Sequence, residues 1–299
     1  MSKGHEKNIK VTPGKSSAQP GNIWIEVLLK LIRNKTAVIC FFVLFIICLA
    51  CALAPYITKW DYRDININRL RQGPSFNHIF GTDGLGRDYF ARILYGGRVT
   101  LRITFVSTIL ATLVGSLIGL TAGYFGKKAD FILSQLLDVL ASIPIFLLVL
   151  AFEVALGWGR GYFMYAMAIA AIPQFARLAR ATTMSIAGSE YIVAARALGV
   201  RHPIIILKHV LHNIAPPLIV RFTTGFAEAL LTCTLMGYMS IGISPPTPEW
   251  GALVFDSRSY MRSTPRLIII PCIIITACVI SISLFGDGLR DALDPRKDN

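Results

Sequence analysis

SEYIVAARALGVRHPIIILKHVLHNIAPP, Ser189 to Pro217, separates two long apolar runs and is too charged to be a third. It reads as two short helices with a break between them. Tyr191, Ala194, Ala195 and Leu198 recur at i, i+3, i+4 and i+7, one apolar stripe on the first helix. Gly199 follows, where a helix can end in the left-handed region without a Cβ penalty. Pro203 suits the first turn of the second helix, because its φ is already fixed. The alanines keep the stripe shallow, so another surface can approach closely. The stripe therefore either lies on the chain's own bundle or receives a partner protein.

Outward from this stretch the chain is mostly apolar runs: 36–57, 100–125, 130–156, 162–183, 214–243 and 265–288. Each is near the roughly 20 residues a bilayer requires. The fourth is the weakest. Its apolar part ends near Pro173, with Arg177 and Arg180 beyond, and reads as a span emerging as a polar helix. Pro144, Pro173 and Pro271 mark candidate kinks, which membrane helices tolerate. In 22–34, NIWIEVLLKLIRN, one face carries Trp24, Val27, Leu28, Leu31 and Ile32 and the other Glu26, Lys30 and Arg33. That pattern predicts an amphipathic helix in the membrane interface, the alternative being the first turns of a tilted span. Residues 1–21 show no periodicity and read as a disordered tail without a cleavable signal; 289–299 read as a second tail.

Composition agrees with a polytopic membrane protein. Of 299 residues, 54% are hydrophobic and 16% charged, with mean hydropathy +0.58. The net charge of +13 would point to nucleic acid in a soluble protein, but here follows from positive-inside bias, and no nucleic-acid partner is expected. The short turns decide orientation: Lys127 and Lys128 against the single Arg160. They place both termini and 189–213 in the cytoplasm, and the 58–99 loop outside. All six cysteines lie inside apolar runs; Cys48 and Cys51 have redox spacing but read as small apolar residues.

The run Glu190, Ala194, Ala195, Gly199 resembles the EAA loop of permease subunits of binding-protein-dependent ABC importers. The family pattern then carries a proline where His212 stands, in Val210-Leu211-His212-Asn213. A second block, Phe80 to Leu101, is similar to the FGTDxxGRD segment of the dipeptide/oligopeptide/nickel branch, matching at Gly81, Thr82, Asp83, Gly86, Arg87, Asp88 and Arg92. Gly81, Gly84 and Gly86 permit tight turns. Asp83, Arg87, Asp88 and Arg92 can form an ion-pair network. The glycines lack the lysine and strand context of a phosphate loop. A third block runs from Gly237 to Gly251 and includes Pro245, Pro246, Pro248 and Trp250, the last suited to the membrane–water interface. A fourth, Gly286 to Arg296, closes the match.

The resemblance implies an all-α permease of the type I importer class, with six transmembrane helices. It implies a coupling loop at about 188–213, with Glu190, Tyr191, Ala194, Ala195, Leu198 and Gly199 meeting a cytoplasmic ATPase. The implied partners are a homologous second permease, two ATPases that bind ATP and Mg, and an extracytoplasmic substrate-binding protein. The chain itself shows no ATPase motif, catalytic set, cofactor or metal site. His202, His209 and His212 read as solvated or packed against the ATPase, with a metal site as the other reading. Glu228, Asp138 and Glu153 stand at membrane depth, where a charge faces protein or water, and are candidates for the path. For Glu228 a purely structural pairing is the equal alternative. Peptide is the favoured substrate, with nickel or a metal chelate second. An ion-gradient-driven secondary transporter would use Glu228 and Asp138 as coupling-ion sites, and a membrane scaffold would need neither.

Overall fold

The computed structural model describes residues 23–157 and 160–294; the two ends of the chain, including the expected 1–21 tail, lie outside the described residues. The elements described are helical, with a single isolated bridge between Thr82 and Asp88. Helix α1 (Ile23–Arg33) leads into α2 (Lys35–Ala52), which Asn34 caps by accepting from the Ala37 N–H at 3.2 Å. The apolar face of α1 divides: Val27 is buried, whereas Leu28 and Ile32 are exposed. The side chain of Trp24 is outside the described set. A short α3 (Ala54–Ile57) opens the long 58–88 loop.

Helix α4 (Tyr89–Phe125) starts eleven residues before the expected apolar run at 100. Asp88 is its cap, accepting from the Ala91 N–H at 2.7 Å. Arg92 and Arg98 do not end the helix, because charge alone breaks no i→i−4 bond; they only carry it beyond the apolar part. The run 130–156 is two helices, α5 (Lys127–Ala141) and α6 (Ile145–Leu156), bent by 98°. Pro144 is the cause: it has no N–H to donate and disfavours helical backbone at Ile143. Helix α7 (Arg160–Ala187) passes through Pro173 without breaking.

The 189–217 segment contains α8 (Glu190–Ala197) and α9 (His202–Ile204). The second limb does not stop there. It continues through a π-helical stretch (Ile205–Val210) into α10 (Leu211–Tyr238), so the helix begins well before the expected 214. Helices α11 (Trp250–Ser257) and α12 (Arg266–Leu293) complete the fold, and α12 extends into the expected C-terminal tail.

Among the described residues four helices are long and apolar enough to cross a membrane, or five if the bent α5–α6 pair counts as one span. Helix α7 is long enough but carries Gln174, Arg177 and Arg180, so its hydropathy does not qualify it by itself. Of the six expected runs, the third is bent at Pro144 and the fourth, already the weakest in the sequence, falls short in hydropathy. The tightest packing joins α4 to α7. Gly115, Gly119 and Gly123 lie on one face of α4, at the four-residue spacing that lets backbones approach. A Cβ at Gly119 would stand 2.2 Å from the Ala176 carbonyl oxygen, and those at Gly115 and Gly123 2.8 and 2.7 Å from those of Ile172 and Arg180.

Candidate functional site

Three groups of side chains stand out: one at the 189–217 end, one along the helices, one at the 58–88 end. In the first, α8 ends as the glycine signal requires. Gly199 has φ +79°, its N–H donates to the Arg196 carbonyl, and the Val200 N–H donates to that of Ala195. Ile192 and Ile205, one from each limb, are fully buried with Leu120, Tyr124 and Val210. That anchorage turns Tyr191, Ala194 and Leu198 outward; Leu198 is 84% exposed. Ala195 does not join them: it is half-buried and packs on the same cluster as Ile192. Glu190 is exposed in the first turn of α8. His202 bonds to Tyr124, and His209 lies against the Tyr191 ring.

The second group is a polar ladder across α5, α7 and α10. Asp130 accepts both Nε and Nη2 of Arg180. Asp138 pairs with Arg177 at 2.8 Å. Glu228 takes two bonds from Arg221, at 3.0 and 2.9 Å. Arg221 also donates to Gln174 and lies over the Phe175 ring at 5.7 Å. Gln174, Arg177 and Arg180 follow one another at three-residue spacing, so α7 links the acids of α5 to the pair on α10. Two of the rungs are partly exposed on this chain: the side chains of Arg177 and Asp138 are 54% and 61% exposed, and those of Arg221 and Glu228 23% and 47%. Glu153 is not brought to this surface. It is fully buried on α6, one turn beyond the fully buried Val149, and neither carboxylate oxygen has a hydrogen-bond partner among the described residues.

The third group ties the 58–88 loop to the bundle. Asp83 accepts the N–H groups of Leu85 and Arg87 on one oxygen and the Arg87 Nε on the other at 2.7 Å. Arg92 stands between Asp83 at 3.4 Å and Asp256 at 3.3 Å. Asp88 is not part of this network: besides capping α4 it meets His78 at 2.8 Å. Thr82 bonds to the Arg69 carbonyl. Gly81 and Gly86 take positive φ; Gly84 does not, and a Cβ there would strike the Tyr260 ring. Burial raises the Asp256 carboxyl above the usual carboxylate range, opposed by Arg92 and Arg87.

Sequence reasoning missed Glu249, which ties α4 to α11, and misplaced Trp250. Trp250 is fully buried, not interfacial, and its indole N–H donates to the Ile93 carbonyl at 3.0 Å. Glu249, also fully buried, caps α11 through the Ala252 N–H and accepts the Thr100 hydroxyl at 3.0 Å. Burial raises its pKa, although Gly251, Ala252 and Thr100 donate to it. An acid just before an apolar helix was the available signal for the cap.

Residues 115–299 match the model of the binding-protein-dependent transport system inner membrane component, and residues 22–74 that of the N-terminal transmembrane domain of oligopeptide transport permease C. A dipeptide transport system permease protein of Alkalihalophilus pseudofirmus is 36% identical over 273 residues, 91% of this chain and 90% of that one. A glutathione transport system permease protein of Pectobacterium atrosepticum is 36% identical over 275 residues, 91% of each chain. Among solved structures, the inward-facing MetNI methionine ABC transporter superposes with TM-score 0.57 at 21% identity, covering 68% of this chain and 96% of that one. That likeness concerns the fold. The chain belongs to the binding-protein-dependent transport system inner membrane components, the membrane-spanning permease subunits of ABC importers.

Proposed function

We propose that this permease forms one half of an import path for di- or oligopeptides. The segment 190–212 and both termini are cytoplasmic, and the 58–88 loop is outside. A homologous permease supplies the other half, one ATPase docks on the exposed stripe of α8 and a second on the homologous permease, and a binding protein delivers the peptide. The peptide assignment is supported by relatives named for dipeptide and glutathione transport. The carrying observation is the exposure, on this chain, of the Asp138–Arg177 and Arg221–Glu228 pairs along the ladder of α5, α7 and α10. Charge at membrane depth is costly against lipid, so this surface faces water or a partner. On this reading ATP-driven closure of the ATPases moves α8 and reorients the helices about the ladder, exposing it to one side of the membrane at a time.

The test is uptake of a labelled dipeptide by the complete complex in vesicles. Glu228→Gln removes the charge opposite Arg221 and keeps the shape. Uptake should fall at least severalfold, while assembly and thermal stability stay near wild type. Unchanged uptake with a lowered melting temperature would make the pair a structural one.

A further inference from the structure

We propose that Tyr124 is a positioning residue that transmits movement of the coupling segment to α4. The proposal rests on the reading that α8 docks an ATPase. Tyr124 is the penultimate residue of α4 and is buried, 7% exposed. Its hydroxyl lies 2.8 Å from Nδ1 of His202, and the guanidinium of Arg196 stands over its ring at 4.6 Å. Arg196 is in the last turn of α8 and His202 opens α9, so the two contacts reach the two limbs on either side of Gly199. One side chain of α4 thus holds both arms of the bend. The contacts differ in kind. The hydroxyl–imidazole bond is directional and fixes the second limb, and the cation over the ring ties α8 to the same side chain.

Beneath them, Ile192 and Ile205 sit in the same apolar cluster as Tyr124 and Leu120. The apolar layer holds the limbs against α4 but does not index them, because dispersion contacts have little directional preference. The polar contacts to Tyr124 supply that index. Helix α4 is the element with somewhere to send the movement. Its 37 residues span about 55 Å at 1.5 Å per residue. At the far end it meets α11 through the Trp250–Ile93 and Glu249–Thr100 bonds and reaches Asp256 through Arg92. A displacement of α8 gripped at Tyr124 therefore arrives at the outer network, whereas an ungripped α8 would rock on its apolar anchor.

The experiment uses the complete complex in vesicles and reads dipeptide imported per ATP hydrolysed, with ATPase retention on the purified complex. Tyr124→Phe removes the hydroxyl and keeps the ring; His202→Ala removes its partner. Each should lower import per ATP about two- to tenfold, the population ratio that one ordinary hydrogen bond maintains, with the ATPases still bound. The double variant should be no worse than the poorer single one, since both remove the same contact. Tyr124→Leu, which also loses the ring under Arg196, should be poorer than Tyr124→Phe. Wild-type import per ATP in all three single variants would overturn the proposal. So would additive losses in the double variant, or ATPase release by Tyr124→Phe, because Tyr124 would then serve docking and not transmission. The docking reading has its own control: Leu198→Asp that keeps both the ATPases and the wild-type ratio would defeat that reading whatever Tyr124 does.

Discussion

Nothing lies within 4 Å of where a Cβ at Gly199 would stand, so space does not demand glycine there; the backbone does, at φ +79°. A β-branched residue held in that conformation costs about 1–3 kcal/mol, and the exposed loop would relax by reshaping. Reshaping moves Tyr191, Ala194 and Leu198 together, since all three stand on the one helix that Ile192 and Ala195 hold to the core. Glu249 shows the opposite situation, a buried acid held by good partners yet raised in pKa by its burial. A raised acid favours the folded state fully below its unfolded pKa, and that contribution is lost as pH rises through the folded pKa. The protein should therefore gain stability as pH falls from neutral toward the usual glutamate range. Glu249→Gln keeps one acceptor for the Ala252 N–H and should flatten that part of the slope. Melting temperatures against pH in detergent, wild type beside Glu249→Gln, decide the matter; identical slopes would remove Glu249 as the source.

Among the elements, the α4–α7 pair is the frame on which the rest is hung. A leucine at Gly119 must force the two backbones apart, because even its Cβ would stand 2.2 Å from a carbonyl oxygen. Gly119→Leu should destabilise by about 1–3 kcal/mol or prevent folding, whereas Gly188→Ala, with only an ordinary 3.8 Å contact to meet, should be near neutral. Size-exclusion profiles and melting curves of the two proteins test this, and equal stability would mean that the pair is not close-packed. Gly115, Gly119 and Gly123 have their spacing in the sequence, but that α7 is the helix approaching them comes only from the packing. The apolar runs and the α8 ending were legible, because periodicity and φ are local properties. The start of α4 at Asp88, the continuous helix from His202 and the burial of Trp250 were not, because tertiary partners decide them. So too with the ladder. That Glu228 was an acid at membrane depth could be read off, but its bonds from Arg221, two turns earlier, and the tie through Gln174 required the packing of α7 on α10. For Glu153 the structure supplies burial and no partner among the described residues, and neither periodicity nor composition distinguishes that from a rung.

At the scale of the whole molecule, the chain has a gripped end, a charged surface and an outer end fastened to it by α4. The ladder is half-open, with partly exposed rungs along one side of the chain, which is why the proposed path requires a second permease to close it. The chain also presents Tyr191, Ala194 and Leu198 of α8 exposed, turned away from the cluster that holds Ile192 and Ala195. On the proposed reading one of these exposures faces the path and the other faces the ATPase. The most direct measurement is ATP-driven uptake of a labelled dipeptide by the reconstituted complex carrying Leu198→Asp or Gly199→Val. The first buries an unpaired charge at the proposed contact and the second deforms the helix ending, so both should release the ATPases or lower import per ATP tenfold or more while the membrane part stays folded, roughly the effect of losing 1.4 kcal/mol or more at the contact. Wild-type ATPase retention and wild-type import per ATP in both variants would contradict it.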